Sequence, residues 1–184
     1  MSESAALTDI TGDYTLDTAH SRLGFVARHA VVTKVRGQFT DWNATAHIDT
    51  ANPAASSVTV TINPASVSTG SADRDGHLTS PDFFDTAAFP EWKFVSTNVS
   101  REGDKWTITG DLTIKDVTKP VTIEFEENGS AKDPFGNVRV GFEGEVTVNR
   151  KDWGLTWNAA LETGGVLVSE KIKLEFDISA IKNA

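Results

Sequence analysis

Alternation of apolar and polar residues with a period of two is the feature that most restricts how this chain can fold. In the segment SVTVTIN, Val58, Val60 and Ile62 alternate with Thr59 and Thr61. The same pattern recurs at residues 106–114, 121–126, 138–148 and 172–178. A strand with one face in water and one against an apolar interior shows this pattern, because successive strand side chains point to opposite faces. The sequence therefore predicts an all-β domain of about eight strands.

Turn signals between the alternating segments predict antiparallel connections. Three segments rich in Gly, Asp, Asn and Pro predict hairpin turns, at residues 101–105, 127–130 and 133–137. The apolar positions change from odd to even between Phe39 and Trp42, which predicts a bulge near Thr40 and Asp41. Such a meander must close or double over to protect its edge strands. A barrel of about eight strands is either filled by its own side chains or holds one small apolar ligand. Sequence pattern alone leaves both alternatives open.

Two short helices are expected, at residues 30–34 and from Ser71 onwards. Asp73 and Asp75 fall in the first turn after Ser71, where the positive end of the helix dipole stabilises acids. Pro81 limits the length of this helix, because proline cannot continue the backbone hydrogen bonds.

Composition excludes several classes of function. The formal net charge is −9, with 26 acidic residues against 17 basic ones, which opposes binding to nucleic acid and simple adsorption to anionic membranes. The absence of cysteine excludes disulfides, thiolate metal sites and a cysteine nucleophile. The first 14 residues lack the charge and hydrophobicity of a signal peptide, and no stretch is long enough for a membrane span. We expect a cytoplasmic protein, or a periplasmic or secreted one if a leader was removed.

The charged cluster Asp73, Arg74, Asp75 and His77 is followed closely by three phenylalanines. A hydrolase triad would need a serine such as Ser21 on an exposed elbow, and no such motif is present. A metal site would draw on His20, His29 and His77, whose spacing matches no known ligand pattern. We therefore favour a hydrogen-bonded clasp that holds the helix against the barrel.

Basic residues are concentrated between Ser21 and Thr40. This stretch contains Arg22, Arg28, Lys34 and Arg36 and no acid. It is either a solvated face or a local positive field near a barrel mouth, suited to a diphosphate or to quinone carbonyls.

Five segments resemble, in the same order, the YceI-like family of polyisoprenoid-binding proteins. They are YTLDTAHSRLGFVARH (14–29), VRGQFTDWNATAHID (35–49), INPASVSTGSADRDGHLTSPDFFD (62–85), GDLTIKDVTKPV (110–121) and VNRKDWGL (148–155). The resemblance implies an eight-stranded antiparallel lipocalin-like barrel with short helices at one end. It further implies a single domain over residues 14–184, preceded by a flexible segment, residues 1–13.

The resemblance also implies a function. The expected protein binds an amphipathic isoprenoid lipid, a polyprenyl diphosphate or an isoprenoid quinone, in an apolar pore as a carrier, store or sequestering protein. It is expected to be non-enzymatic, with no metal, no covalent cofactor, no nucleic-acid partner and no integral membrane span, and to favour a homodimer. The alternatives are an enzyme acting on a similar substrate in the same pocket and a filled barrel that serves as an interaction module.

The side chains expected to contact the lipid are aromatic, aliphatic and basic. Those expected to line the pore or to hold the head group are Phe25, Arg28, His29, Phe39, Trp42, Arg74, His77, Leu78, Phe83, Phe84, Phe89 and Trp92. Asn149, Arg150, Asp152 and Gly154 are expected to form a structural strand end and loop.

Overall fold

The computed structural model describes residues 9–30, 32–158 and 168–183. Within these ranges β-strands dominate the regular secondary structure, with one short α-helix, α1 (Ala72–Thr79). The strands are β1 (Gly12–Leu16), β2 (Arg22–His29), β3 (Thr33–Phe39), β4 (Trp42–Ile48), β5 (Ser57–Ile62), β6 (Val67–Ser68), β7 (Trp92–Glu102), β8 (Lys105–Ile114), β9 (Val117–Lys132), β10 (Val138–Asn149) and β11 (Lys171–Lys182). No helix in the described ranges is long and apolar enough to cross a membrane.

Eight strands form a closed antiparallel ring, in the order β1-β4-β5-β7-β8-β9-β10-β11. The ring closes because β11 pairs with β10 on one edge and with β1 on the other, for example Leu16 opposite Ala180. The predicted all-β barrel is therefore confirmed. Closure removes the unpaired edges that an open sheet of this size would expose.

Three strands of the ring continue past a bend and carry the sheet further at one end. The continuing strands are β2, which follows β1 along the chain, β3, which precedes β4, and β6, which follows β5. β2 pairs with β3 and with the first half of β11, and β3 pairs with β6. The bend between β3 and β4 falls at Thr40 and Asp41, where the change of phase in the sequence predicts an irregularity.

The two ends of the barrel differ. One end, here called the helix end, carries α1, the β2–β3 turn, the Lys115–Asp116 turn and the β10–β11 connection; His29 pairs there with Val168. The opposite end, here called the closed end, carries the β4–β5, β7–β8 and β9–β10 connections.

Two local predictions are wrong. Residues 127–130 form no turn: β9 continues through them, with Gly129 at φ +144° and a register shift that leaves Asn128 without a partner opposite. A bulge absorbs the turn-forming residues because the flanking residues keep their ladder bonds. The helix expected at residues 30–34 is absent, since Thr33 and Lys34 already belong to β3, while Val31 lies outside the described residues. The turns predicted at 101–105 and 133–137 are confirmed.

A small apolar cluster fills the closed end. Its buried members are Ile10, Tyr14, Ile48, Val99, Trp106, Val140 and Ala180. Ile10 is only 1% exposed, so it is among the most deeply buried members of this cluster. The cluster forms the floor of the barrel.

Polar contacts fasten the strands around this floor. Trp106 Nε1 donates to Glu127 Oε1 at 2.9 Å, and the Arg101 guanidinium lies 5.0 Å from the centre of the Trp106 ring. Arg139 donates to both Asp133 and Asp17, which lowers the pKa of each carboxyl group. These contacts tie the β9–β10 turn to the bend after β1.

Tyr14 should titrate at unusually high pH. Its hydroxyl donates to the Ile10 carbonyl at 2.8 Å, and burial raises its pKa to about 12. The pKa of Tyr14 is higher in the folded protein than in the unfolded chain, so the protonated hydroxyl stabilises the fold. This stabilisation is complete below pH 10, the usual pKa of tyrosine, and is lost as the pH rises towards 12. Tyr14 is the single tyrosine of the chain, so the absorbance of tyrosinate reports this group alone. A midpoint near 10 in the folded protein would contradict the buried environment.

Candidate functional site

An apolar cavity of about 260 Å³ runs through the barrel from the floor towards the helix end. Its wall is formed by aromatic and aliphatic side chains from almost every strand, and no polar atom is exposed on it. Seven of the side chains predicted to contact a lipid line it: Phe25, Phe39, Trp42, Leu78, Phe83, Phe84 and Trp92. The barrel is therefore not filled by its own side chains.

Phe39 is the centre of an aromatic group in this wall. Its ring centroid lies 5.1 Å from that of Trp92, 5.6 Å from that of Phe25 and 6.1 Å from that of Phe84. The far end of the Phe25 ring lies against Gly37 of the neighbouring strand, where a Cβ atom would come within 2.3 Å of the ring. Glycine at this position thus leaves room for the Phe25 ring to form the wall without blocking the pore.

A second cavity, of about 390 Å³, adjoins the first at the helix end. The two share Phe25, Ala27, Leu78, Phe83 and Val168 in their walls, so they are neighbouring parts of one site. The second cavity also has polar and charged residues in its lining, namely Arg28, His29, Thr69, Ser71, Asp73, Arg74 and His77. The combined site is apolar at depth and polar at its mouth.

Helix α1 is held over this mouth by a clasp on Thr69. Ser71 caps the helix by accepting a hydrogen bond from the Arg74 amide, as predicted. The Asp75 carboxylate accepts from the amide and the hydroxyl of Thr69, at 2.9 and 2.6 Å. The Arg74 guanidinium donates to the hydroxyl and the carbonyl of the same residue, both at 2.8 Å. Two of the four clustered residues thus form the predicted clasp.

The other two cluster members have different surroundings. His77 Nε2 lies 2.9 Å from the Asp82 carboxylate, and its ring packs edge-on against Trp157 and Phe83 at centroid distances of 4.6 and 5.1 Å. Asp73 is exposed and has no hydrogen-bond partner among the described residues. His77 therefore joins the helix to the aromatic wall, and Asp73 is not part of the clasp.

Removal of the Asp75 carboxylate should loosen the mouth. We expect Asp75→Ala to lower the free energy of unfolding by about 1 to 2 kcal/mol, because the two Thr69 donors lose their acceptor in a half-buried position. Urea denaturation measures the change. Asp73→Ala, in the same helix turn but without a partner, is the control and should be close to wild type. Equal stability of the two variants would show that the clasp does not hold the helix.

The prediction that Phe89 covers the cavity is wrong. Phe89 lines neither cavity, and the Lys115 ammonium lies 5.9 Å from the centre of its ring. Asp85 adopts a positive φ of 46°, and the amides of Ala88 and Phe89 donate to its carbonyl. This turn carries Phe89 away from the pore, whereas Phe83 and Phe84 precede it and stay inside.

The residues considered for catalysis or metal binding are not brought together. His20 pairs with Asp17, and the Ser21 hydroxyl exchanges hydrogen bonds with the backbone of Ser179. Asp75 is held by Thr69 instead of lying beside a histidine. Among the described residues, no three His, Asp or Glu side chains are grouped so as to hold a metal ion.

Arg150, expected from the sequence to belong to a structural strand end and loop, is a buried member of the site. It is only 4% exposed, and its guanidinium donates to the carbonyls of Leu155, Val168 and Ser169. Its guanidinium carbon lies 6.0 Å from the centre of the Phe83 ring. Burial lowers the pKa of Arg150. The side chain fixes the β10–β11 connection beside the mouth.

Trp157, Val168, Trp153 and Leu155 are further wall residues that sequence reasoning missed. They lie in the irregular β10–β11 connection, where no strand periodicity marks an inward position. The sequence did contain one signal for buried positions here, which was the presence of two tryptophans within a stretch of five residues. The expected loop itself is present: a short 3-10 turn, Arg150–Trp153, capped by Asn149 and ended by Gly154 at φ +77°.

Known proteins share this architecture. Residues 14–180 match the model of the YceI-like domain. The chain is 43% identical over 148 residues to Protein YceI of Escherichia coli O157:H7, which covers 79% of this chain and 78% of that protein. The crystal structure of Burkholderia cenocepacia BcnA superposes with a TM-score of 0.78 at 24% identity, covering 89% of this chain and 98% of that one.

A third relative is a polyisoprenoid-binding domain from Saccharophagus degradans, implicated in plant cell wall breakdown. It superposes with a TM-score of 0.69 at 17% identity and covers 92% of this chain and 98% of that domain. The two solved structures establish the shared fold. The family match over nearly the whole chain, together with the identity to Protein YceI, shows that this protein belongs to the YceI-like family.

Proposed function

We propose that this protein binds an amphipathic isoprenoid lipid, with the prenyl chain in the apolar cavity and the head group at the helix end. The main observation that supports the proposal is that a single site is apolar at depth and polar at its mouth. The deep cavity exposes no polar atom, while the adjoining cavity is lined by histidines, arginines, Ser71 and Thr69. Membership of the YceI-like family and the polyisoprenoid-binding neighbour support it.

The apolar cavity favours a hydrocarbon chain. Each buried CH₂ contributes about 0.8 kcal/mol, so a five-carbon isoprene unit contributes about 3 to 4 kcal/mol before the costs of ordering and association. A wall without exposed polar atoms offers little hydrogen bonding to a polar ligand, and its buried Trp92 Nε1, which has no partner among the described residues, loses no hydrogen bond when a chain enters. Chain length therefore supplies most of the affinity.

The polar mouth favours a head group rich in oxygen acceptors. The Arg74 guanidinium makes no ion pair with any described residue, and its hydrogen bonds are to Thr69 alone. The rings of His29 and His77 belong to the same lining. A diphosphate and a quinone share the acceptor oxygens that these donors would bind.

The closed end fixes the orientation of the lipid. The floor around Tyr14 and Trp106 is packed, with Tyr14 1% exposed and Trp106 3% exposed. The chain would enter from the helix end and keep its head there. A protein of this kind acts as a carrier or store, since holding the chain out of water requires no chemical step.

Extraction of the purified protein with organic solvent, followed by mass spectrometry, tests the proposal. We expect a prenyl-containing lipid, and we expect the stripped protein to bind a fluorescent prenyl probe. Absence of binding by the folded, stripped protein would overturn the proposal and favour an interaction module. Chemical conversion of the bound lipid during incubation would instead identify an enzyme.

Variants of the mouth should change selectivity without abolishing binding. We expect Arg74→Gln and Arg28→Gln to lower the preference for a prenyl diphosphate over a prenyl alcohol of equal length by about tenfold, since one charge-assisted contact is lost. Prenyl binding itself should remain. Arg36→Gln, which lines neither cavity, is the control. Complete loss of the lipid in the two mouth variants would contradict a binding mode driven by the chain.

Assembly and location stay predictions. A homodimer would be detected by sedimentation at working concentration, and fractionation of cells would test the cytoplasmic location.

A further inference from the structure

The β2–β3 hairpin presents a basic outer face at the helix end. Leu23, Phe25 and Ala27 line the deep cavity, so alternation turns Arg28 away from that cavity, and at the end of β2 its side chain borders the mouth cavity only. Lys34 lies directly across from Arg28 in β3, and Arg36 is two residues further along the same face. All three are exposed. We call Arg28, Lys34 and Arg36, with Val32 in the turn, the basic hairpin.

The pairing within this face is unfavourable for the isolated protein. Arg28 and Lys34 are direct cross-strand partners, and like charges in that position repel. Arg36 is balanced by Glu175 at 3.7 Å, but Arg28 and Lys34 form no ion pair with any described residue. The protein carries a net charge of −9, so anionic partners for these cations were available elsewhere in its composition. The repulsion would be relieved if an external anionic surface covered the face.

An exposed apolar side chain stands at the tip of the same hairpin. Val32 is 77% exposed, and among the described residues the other exposed large apolar side chains are Val95 and Phe135. Ala27, Arg28, His29 and Val35, on the two arms of the hairpin, belong to the lining of the mouth cavity. The basic hairpin thus adjoins the opening through which a lipid would pass.

We propose that the basic hairpin docks on an anionic lipid bilayer and places the mouth of the pore against the membrane. The proposal rests on the proposed function, because a bound isoprenoid must be exchanged with a membrane. Basic side chains are attracted to anionic lipid head groups, and a small apolar contact added to a basic patch gives the two signals that reversible binding requires. Val32 supplies that contact.

Local charge governs this contact more than the net charge does. Exposed charges are screened beyond about 8 Å at physiological ionic strength, so distant acids contribute little at the bilayer surface. Acids do lie at the helix end, including Asp82, Asp116 and Asp152 on the other connections. These acids restrict the contact with the bilayer to the side of the opening formed by the hairpin. Because the attraction is electrostatic, binding to the bilayer should weaken as the salt concentration is raised.

Flotation with lipid vesicles tests the proposal on the full chain after its lipid has been removed. We expect the protein to float with vesicles of phosphatidylcholine mixed with phosphatidylglycerol at low salt, and not with vesicles of phosphatidylcholine alone. Lys34→Glu should lower binding about tenfold, because a cation is replaced by an anion at the surface. Val32→Asp should have a similar effect.

Matched changes at the closed end are the controls. Lys132 is an exposed strand lysine beside a hairpin turn, and Phe135, in that turn, is 89% exposed. Lys132→Glu and Phe135→Asp should leave vesicle binding unchanged. The proposal is overturned if these two variants lose as much binding as the hairpin variants, if charge of the lipid has no effect, or if the protein is retained by duplex DNA but not by anionic vesicles.

Prenyl binding measured in solution without vesicles distinguishes membrane docking by the basic hairpin from the proposed binding of an isoprenoid lipid. Lys34→Glu should bind the fluorescent prenyl probe like wild type. Vesicle docking without any prenyl binding would overturn the proposed function alone, and prenyl binding without docking would overturn the membrane contact alone.

Discussion

Replacement of Phe39 by aspartate should reduce prenyl binding about a hundredfold or more. Phe39 is 5% exposed and its ring lies at the centre of the aromatic group that walls the pore. A carboxyl group placed there would lose its hydration among apolar side chains, and a single nearby donor, Trp92 Nε1, left unpartnered by the described residues, would not replace it. The loss is measured as the dissociation constant of a fluorescent prenyl probe.

Phe39→Asp could also unfold the barrel, so a second variant keeps the test decisive. Ala44 lines the same cavity and packs against the core only in part. We expect Ala44→Trp to block the chain by volume alone, with the apolar wall and the fold preserved. Phe135→Asp introduces the same charge at an exposed turn and is the control for both. A folded Ala44→Trp variant that binds the probe like wild type would place the chain outside this cavity.

Arg150→Ala should cost about 3 kcal/mol of unfolding free energy. The guanidinium donates to three backbone carbonyls while almost fully buried, and the variant removes this donor from the carbonyls of Leu155 and Ser169, whereas the Val168 carbonyl keeps its bond from Asn158. Hydrogen bonds from a charged donor are stronger than neutral ones, and planar geometry lets one side chain reach several acceptors. Urea denaturation measures the loss.

Arg150→Lys distinguishes the effect of the planar guanidinium geometry from the effect of the positive charge. A lysine keeps the charge but cannot reach the carbonyls of Leu155, Val168 and Ser169 together, so most of the loss should persist. Arg36→Ala, an exposed arginine with one long ion pair, should change stability by less than about 0.5 kcal/mol. Full rescue by lysine would mean that the charge, and not the set of three hydrogen bonds, stabilises the connection.

Periodicity in the sequence predicted the architecture well, because strand alternation is a local property. Val58, Val60 and Ile62 alternate with threonines, and in the barrel they face the cavity. The capped start of α1 at Ser71 was equally readable, since a capping side chain bonds within its own turn. The phase change at Thr40 and Asp41 located the bend between β3 and β4.

Two of the incorrect predictions arose where tertiary structure overrides a local sequence signal. Residues 127–130 have the composition of a turn, yet the long pairing of β9 with β8 and β10 keeps them extended with a bulge at Asn128. Phe89 follows Phe83 and Phe84 closely in sequence, but the turn at Asp85 separates it from them in space. Each outcome depends on pairing or turn geometry that a short window of sequence does not contain.

By itself the sequence determined the all-β class, the capped helix and the apolar inner faces of the strands, because these follow from alternation, capping and composition, whereas closure into a barrel was implied by the family resemblance. Only the tertiary structure decided that the interior is a cavity closed at one end. That result requires Ile10 and Tyr14 from the beginning of the chain to meet Val140 and Ala180 from its second half. It likewise decided that Arg150 is buried, since three carbonyls separated from it along the chain converge on its guanidinium. Contacts between residues distant in sequence define the volume and the polarity of a site, and no local pattern encodes them.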